Sequence, residues 1–124
     1  MNLRVELFVK DPDRSVNFYT NVLGFTALKS HKDYFPVQRD NIIIGIGTIK
    51  GLDKNHYFRP EIKNQRLGLG VEIVLEVDDI EEMYRKVKAT GYKIERALGK
   101  REWGLSDFRV VDPDGYYIRV TSRK

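Results

Sequence analysis

An α+β fold of two paired βαβββ modules is predicted for this chain by three observations. Strand-like and helix-like segments follow the order β-α-β-β-β, and the order then repeats. The halves match in character: "ELFVKD" (6–11) resembles "VLEVDD" (74–79), and "RDNIIIGI" (39–46) lines up with "PDGYYIRV" (113–120). Each half also carries one helix ending at glycine, "VLGF" (22–25) against "ATGY" (89–92). One helix and four strands cannot cover both faces of a sheet, and pairing two such units solves this. Helices are expected on the outer face and a cleft on the other. A single domain follows, with module one at about 1–50, a connecting loop at about 51–69 and module two at about 70–124.

The elements follow in order. "LRVELFV" (3–9) alternates apolar and polar residues, as a half-buried strand does. Asp11 suits an N-cap and Pro12 the first helical position. Val16, Tyr19 and Leu23, beside Phe18 and Val22, form the apolar stripe of that helix. "FTALKS" (25–30), "DYFPVQ" (33–38) and "NIIIGIGTI" (41–49) read as three strands. In the second half, "LGVEIVLEVDD" (69–79) reads as a strand. A helix follows, capped by Asp78 or Asp79, with Ile80, Met83, Tyr84 and Val87 on one face. "YKIERAL" (92–98), "SDFRVVD" (106–112) and "GYYIRVTS" (115–122) complete the set. Residues 50–68 show no clean periodicity, and long loops are often functional.

Composition narrows the function. The 124 residues are 41% hydrophobic and 32% charged, which suits a packed domain. No apolar run approaches the roughly 20 residues that span a bilayer, so no membrane partner is expected. The first residues carry charges within their apolar stretch, unlike a signal peptide, and a cytoplasmic location is expected. With no cysteine, disulfides and thiolate metal sites are excluded. The net charge of +4 comes from scattered basic residues, so no nucleic-acid partner is expected, although a small anion would be favoured.

Alternation assigns side chains to faces. Val5, Leu7 and Val9 should face the helices, leaving Arg4, Glu6 and Phe8 towards the cleft. Likewise Glu72, Val74 and Glu76 oppose Val71, Ile73, Leu75 and Val77, and Tyr117, Arg119 and Thr121 oppose Tyr116, Ile118 and Val120. Ile43, Gly45 and Gly47 should form a flat wall with room above it. The loop "NHYFRP" (55–60), with His56 and Tyr57, reads either as a lid or as a packed crossover. Tyr34, Phe35 and Trp103 could line a pocket, although Trp103 reads first as core. No phosphate loop, nucleophile elbow or metal-binding His pair is present, and both histidines, His31 and His56, read more simply as exposed or hydrogen-bonded.

The segments "VKDPDRSVNFYTNVLGF" (9–25), "LEVDDIEEMYRKVKATGYKI" (75–94), "EWG" (102–104) and "VVDPDGYYIRV" (111–120) resemble the vicinal oxygen chelate superfamily. That superfamily includes glyoxalase I, extradiol dioxygenases and bleomycin resistance proteins. The resemblance implies a mixed sheet of paired modules curled around a cleft, homodimers, and in many members a divalent metal. The positions it gives to metal ligands fall on Arg4, Gly45, Glu72 and Arg119. A guanidinium has no lone pair to donate, and one Glu is too few for Zn, Ni, Mn or Fe. No metal and no cofactor are therefore assigned. Arg119 is expected either to pair with Glu72 or, with Arg4, to hold a ligand's carboxylate or phosphate.

The expected function is a metal-free binding protein for a small anionic or aromatic molecule. Its ligand-contact candidates are Arg4, Glu6, Phe8, Glu72, Glu76, Tyr117, Arg119, His56, Tyr57 and Trp103. Bleomycin itself, being cationic, suits a +4 chain poorly. The alternative is a metal-dependent lyase, isomerase or dioxygenase with displaced ligands drawn from Glu6, Glu72, Glu76, His31 or His56. A third is metal-free catalysis with Glu72 as the base.

Overall fold

The computed structural model describes residues 1–58 and 66–123. Residues 59–65, which include the end of "NHYFRP", lie outside the described residues. The chain divides into two compact units, Met1–Arg66 and Leu67–Lys124.

The first unit contains β1 (Val5–Val9), α1 (Pro12–Asn17), β2 (Thr26–Ala27), β3 (Tyr34–Arg39) and β4 (Ile42–Thr48). The second contains β5 (Glu72–Val77), α2 (Ile80–Ala89), β6 (Arg96–Lys100), β7 (Ser106–Val111) and β8 (Tyr117–Ser122). This is the α+β class and the repeated order expected. Each unit forms a four-stranded mixed sheet, ordered β1-β4-β3-β2 and β5-β8-β7-β6. In both, the first and last strands are parallel neighbours, joined by Val5↔Ile44 to Val9↔Thr48 and by Glu72↔Tyr117 to Val77↔Ser122. The remaining neighbours are antiparallel.

Helix starts follow from local chemistry. Asp11 Oδ1 accepts from the backbone N–H of Asp13 at 3.0 Å, and Pro12 needs no donor partner at the first position. The chain then widens into a π turn over Phe18–Val22, where Leu23 N–H reaches the Phe18 carbonyl at 3.3 Å. The wider turn rotates the apolar stripe. Ser15, Phe18, Tyr19 and Leu23 are buried, whereas Val16 and Val22, expected on the same face, are only partly covered. Gly24, at φ 77°, ends the segment in the left-handed region. Of the two possible caps for α2, Asp79 serves: its Oδ1 accepts from Glu82 N–H at 3.0 Å. Ile80, Met83 and Val87 are buried, and the Tyr84 ring lies 5.1 Å from that of Phe108.

The strand faces mostly sort as alternation requires, with two corrections: Val71, expected towards the helices, precedes β5 and is exposed, and Thr121, expected on the cleft face, is buried. Leu7 and Val9 on β1, Ile44 and Ile46 on β4, Leu75 on β5, and Ile118 and Val120 on β8 are all buried. Helix α1 packs on β3 and β4, and α2 on β7 and β8. Complete burial of such a side chain contributes about 1.5–3 kcal/mol. The strand expected at "YKIERAL" begins later, at Arg96. Tyr92 is still in the helix exit, and its hydroxyl donates to the Val111 carbonyl at 2.6 Å. A register shift between Arg96 and Gly99 then displaces the pairing with β7.

The turn before β8 is organised by Asp112, which is buried. Its Oδ1 accepts from the backbone N–H groups of Asp114, Gly115 and Tyr116 at 2.9, 3.0 and 2.9 Å. Gly115 takes φ 107°, which a side chain would resist. Asp112 N–H also reaches the Tyr116 carbonyl at 2.9 Å, and this fixes the β7–β8 register.

Candidate functional site

In the second unit, the face of β8 opposite Ile118 and Val120 carries Tyr117, Arg119 and Thr121. On the neighbouring strand β7, Arg109 stands directly opposite Arg119, and Asp107 opposite Thr121. Two guanidinium groups across a ladder repel unless carboxylates lie between them. Two do. Arg119 Nε donates to Glu72 Oε1 at 2.9 Å, and Arg109 Nη1 lies 4.0 Å from the other Glu72 oxygen. On the far side, Asp107 Oδ2 accepts from Arg109 Nη2 at 3.3 Å, and its Oδ1 from Arg101 Nε at 2.8 Å.

Burial grades this row. Asp107 is wholly buried, Arg101 and Arg109 nearly so, and Arg119 and Glu72 are more open. Burial alone would raise the Asp107 carboxyl. Hydrogen bonds from Arg101 and then Arg109 oppose it, and the net value is lowered. The neighbouring Tyr117 hydroxyl is the largest influence on Arg109, against burial and with Asp107, and its guanidinium is held still more firmly protonated. A pocket of about 470 Å³ opens over this row, lined by Glu72, Trp103, Leu105, Arg109 and Arg119. Trp103 is 52% exposed, and its ring centre lies 6.0 Å from the Arg119 guanidinium. Its exposure corrects the reading of Trp103 as core: the preceding turn residues leave the ring beside the sheet face, not beneath it.

The first unit gathers a different set. Glu6 and Gly45 are ladder partners, and the Glu6 carboxylate lies directly above the glycine. Tyr34 Oη donates to this carboxylate, at 3.1 Å from each oxygen, and Arg4 donates to the same hydroxyl. Arg4 Nη2 is 3.6 Å from Glu6 Oε1, in an exposed pair of the kind worth at most about 1 kcal/mol. Burial, followed by the bond to Glu6, raises the Tyr34 phenol. Phe8 covers Gly47 and meets the rings of His56 and Phe58 at 6.0 and 5.5 Å. The room expected over Gly45 and Gly47 is therefore filled by the side chains of Glu6, Tyr34 and Phe8, because the missing Cβ atoms let them lie flat on β4.

Each expected contact residue thus has a place. Arg4 and Glu6 share one cluster, and Phe8 and His56 another, with His56 Nδ1 accepting from Phe58 N–H at 3.1 Å. Tyr57 is 91% exposed, with its ring 6.2 Å from Phe58. Glu72, Trp103 and Arg119 share the pocket, and Tyr117 stands beside Arg109. Glu76 is exposed on the same strand as Glu72 but does not line the pocket. Sequence reasoning missed Arg101, Asp107 and Arg109, and in the first unit it missed the bond from Tyr34 to Glu6. Counting back from the "DPDG" turn would have paired Arg109 with Arg119.

The donor set does not fit the superfamily's usual metal. Gly45 offers no side chain, Arg4 and Arg119 cannot ligate, and Glu72 is engaged by Arg119. Among the described residues, no three His, Cys, Asp or Glu side chains converge as ligands would. The described helices include none long and apolar enough to cross a membrane.

A family model described as Glyoxalase/Bleomycin resistance protein/Dioxygenase superfamily matches residues 3–120. The chain belongs to this superfamily. Among superfamily relatives, a lactoylglutathione lyase of Neisseria meningitidis is 32% identical over 126 residues, covering 98% of this chain and 90% of the relative. TioX from Micromonospora sp. ML1 shares the fold with a TM-score of 0.78 and 22% identity, over 100% of this chain and 99% of that one. A bleomycin-binding protein complexed with bleomycin matches with a TM-score of 0.75 and 25% identity, again over 100% and 99%.

Proposed function

We propose that this chain is a small-molecule-binding member of the superfamily that works without the usual metal set. The observation that carries this reading is Arg119. It stands where the resemblance places a metal-binding Glu, and its Nε holds the carboxylate of Glu72 at 2.9 Å. A cation at a metal position repels a metal, and it also takes up the one carboxylate that could have served. The pocket beside this pair falls within the range of about 300–1,000 Å³ common for ligand sites. The bleomycin-binding relative supports the reading, since its structure holds a small organic molecule.

Elemental analysis of protein purified without chelators tests the proposal. Sub-stoichiometric metal is expected, with no rise in melting temperature on adding Ni, Zn, Mn or Fe salts. One tightly held metal per chain would overturn it.

The second reading is a metal-dependent lyase, isomerase or dioxygenase with displaced ligands. The 32% identity to a lactoylglutathione lyase over nearly the whole chain favours it. Metal-stimulated formation of lactoylglutathione from glutathione and its α-oxoaldehyde would establish the lyase form of it.

A further inference from the structure

In the pocket of the second unit, the cations are incompletely answered. Arg119 and Arg109 face each other across the ladder, and Glu72 is the carboxylate between them in the pocket wall. It hydrogen-bonds Arg119 at 2.9 Å, but its approach to Arg109 stops at 4.0 Å, beyond hydrogen-bond reach. Asp107 fixes Arg109 from beneath and is itself shared with Arg101. The Arg109 Nε is buried with no hydrogen-bond partner. That Nε is shut away from the pocket, and Tyr117 and Asp107 hold the guanidinium in place, but its Nη1 is left short of a hydrogen bond to Glu72 in the pocket wall, an arrangement that suits an oxyanion shared with Arg119. Trp103 adds a half-exposed flat ring beside Arg119.

Resting on the small-molecule reading above, we infer that the pocket takes an organic anion, a carboxylate borne on a flat aromatic ring. The ligand carboxylate sits against Arg119 and Arg109, and the ring lies against Trp103. Glu72 competes for the same guanidinium groups and in the free protein already holds that of Arg119. Glu72 is then an antagonist of the ligand, which separates this arrangement from one in which Glu72 is a base or a direct ligand contact.

The test uses naphthoate and its neutral analogue naphthamide, followed by calorimetry and by the indole N–H resonance of Trp103. Because the chain has one tryptophan, that resonance is unambiguous. Naphthoate is expected to shift it and to bind about tenfold more tightly than naphthamide. Glu72→Gln should tighten naphthoate by about threefold or more and leave naphthamide unchanged. Arg119→Gln should weaken naphthoate about tenfold. Arg119 is the better target than Arg109, whose loss would strip a partner from buried Asp107 and endanger folding. Equal binding of acid and amide, or weaker naphthoate binding to Glu72→Gln, would overturn the anion assignment and leave the small-molecule reading standing. An indole resonance unmoved by anionic, neutral and cationic aromatics alike, in folded protein, would overturn both.

Discussion

A Cβ placed on Gly45 would lie 1.6 Å from Oε2 of Glu6, so the glycine on β4 and the carboxylate on β1 depend on the same space. It would also lie 2.3 Å from the Tyr34 hydroxyl. Gly45→Ala should therefore expel Glu6 from its bond with Tyr34 and cost about 1–3 kcal/mol, as overpacking does. The half-exposed Glu6 can swing outward, which favours the lower end of that range. Urea unfolding of Gly45→Ala, Glu6→Ala and the double variant should show strong coupling, with the double variant less destabilised than the sum.

Asp107 gives a pH dependence with a definite sign. Burial works to raise its carboxyl, but the Arg101 and Arg109 hydrogen bonds prevail and its folded value is lowered. A lowered acid adds stability that is fully present above its unfolded value of about 3.9 and is lost as pH falls through the folded value. Urea midpoints should fall more steeply below pH ~4 for the native chain than for Asp107→Asn. At neutral pH that variant should lose about 3 kcal/mol, because two largely buried guanidinium groups lose their counter-charge.

Tyr34 should act at the other end of the pH scale. Burial and the Glu6 hydrogen bond hold its phenol above the ordinary value of 10.0. Above pH ~10 the unfolded chain releases this proton first, so stability should decline with rising pH there. Carbon-13 tyrosine titration should place Tyr34 above the ordinary value of 10.0, and Glu6→Gln should bring the Tyr34 value down.

Asp112 is the test of the β7–β8 hairpin. One of its oxygens accepts three backbone N–H groups, and the carboxylate is buried. Asp112→Ala should lower stability by about 2–3 kcal/mol, the scale of buried donors left unmatched. A thermal melt measures the loss. Backbone amide shifts at Asp114, Gly115 and Tyr116 should report it locally.

Much of the fold was legible in the sequence because period-two alternation is a property of each strand alone. The buried set of Leu7, Val9, Ile118 and Val120 followed from it; the cap at Asp11 followed from residue type, which left the second cap open between Asp78 and Asp79. The Glu72–Arg119 contact was also legible, through the repeat and the resemblance. What escaped was what depends on register between strands. Arg109 is an ordinary surface residue until β7 is aligned with β8, and only the turn at Asp112 sets that alignment. The π turn over Phe18–Val22 also escaped, because no residue type announces the wider turn. The room over Gly45 was a fair inference from a missing side chain. Its occupant came from a strand distant in sequence.

The parallel pairing of first with last strand has a consequence for how the chain is made. Val5 must wait for Ile44, and Glu72 for Tyr117, before either sheet can close. Such distant closures are slow compared with hairpins. Yet each sheet takes all four of its strands from its own unit. On the ribosome, the amino-terminal sheet can finish assembling while the arginine-bearing strands of the other are still untranslated, so the two slow closures need not compete for the same partners.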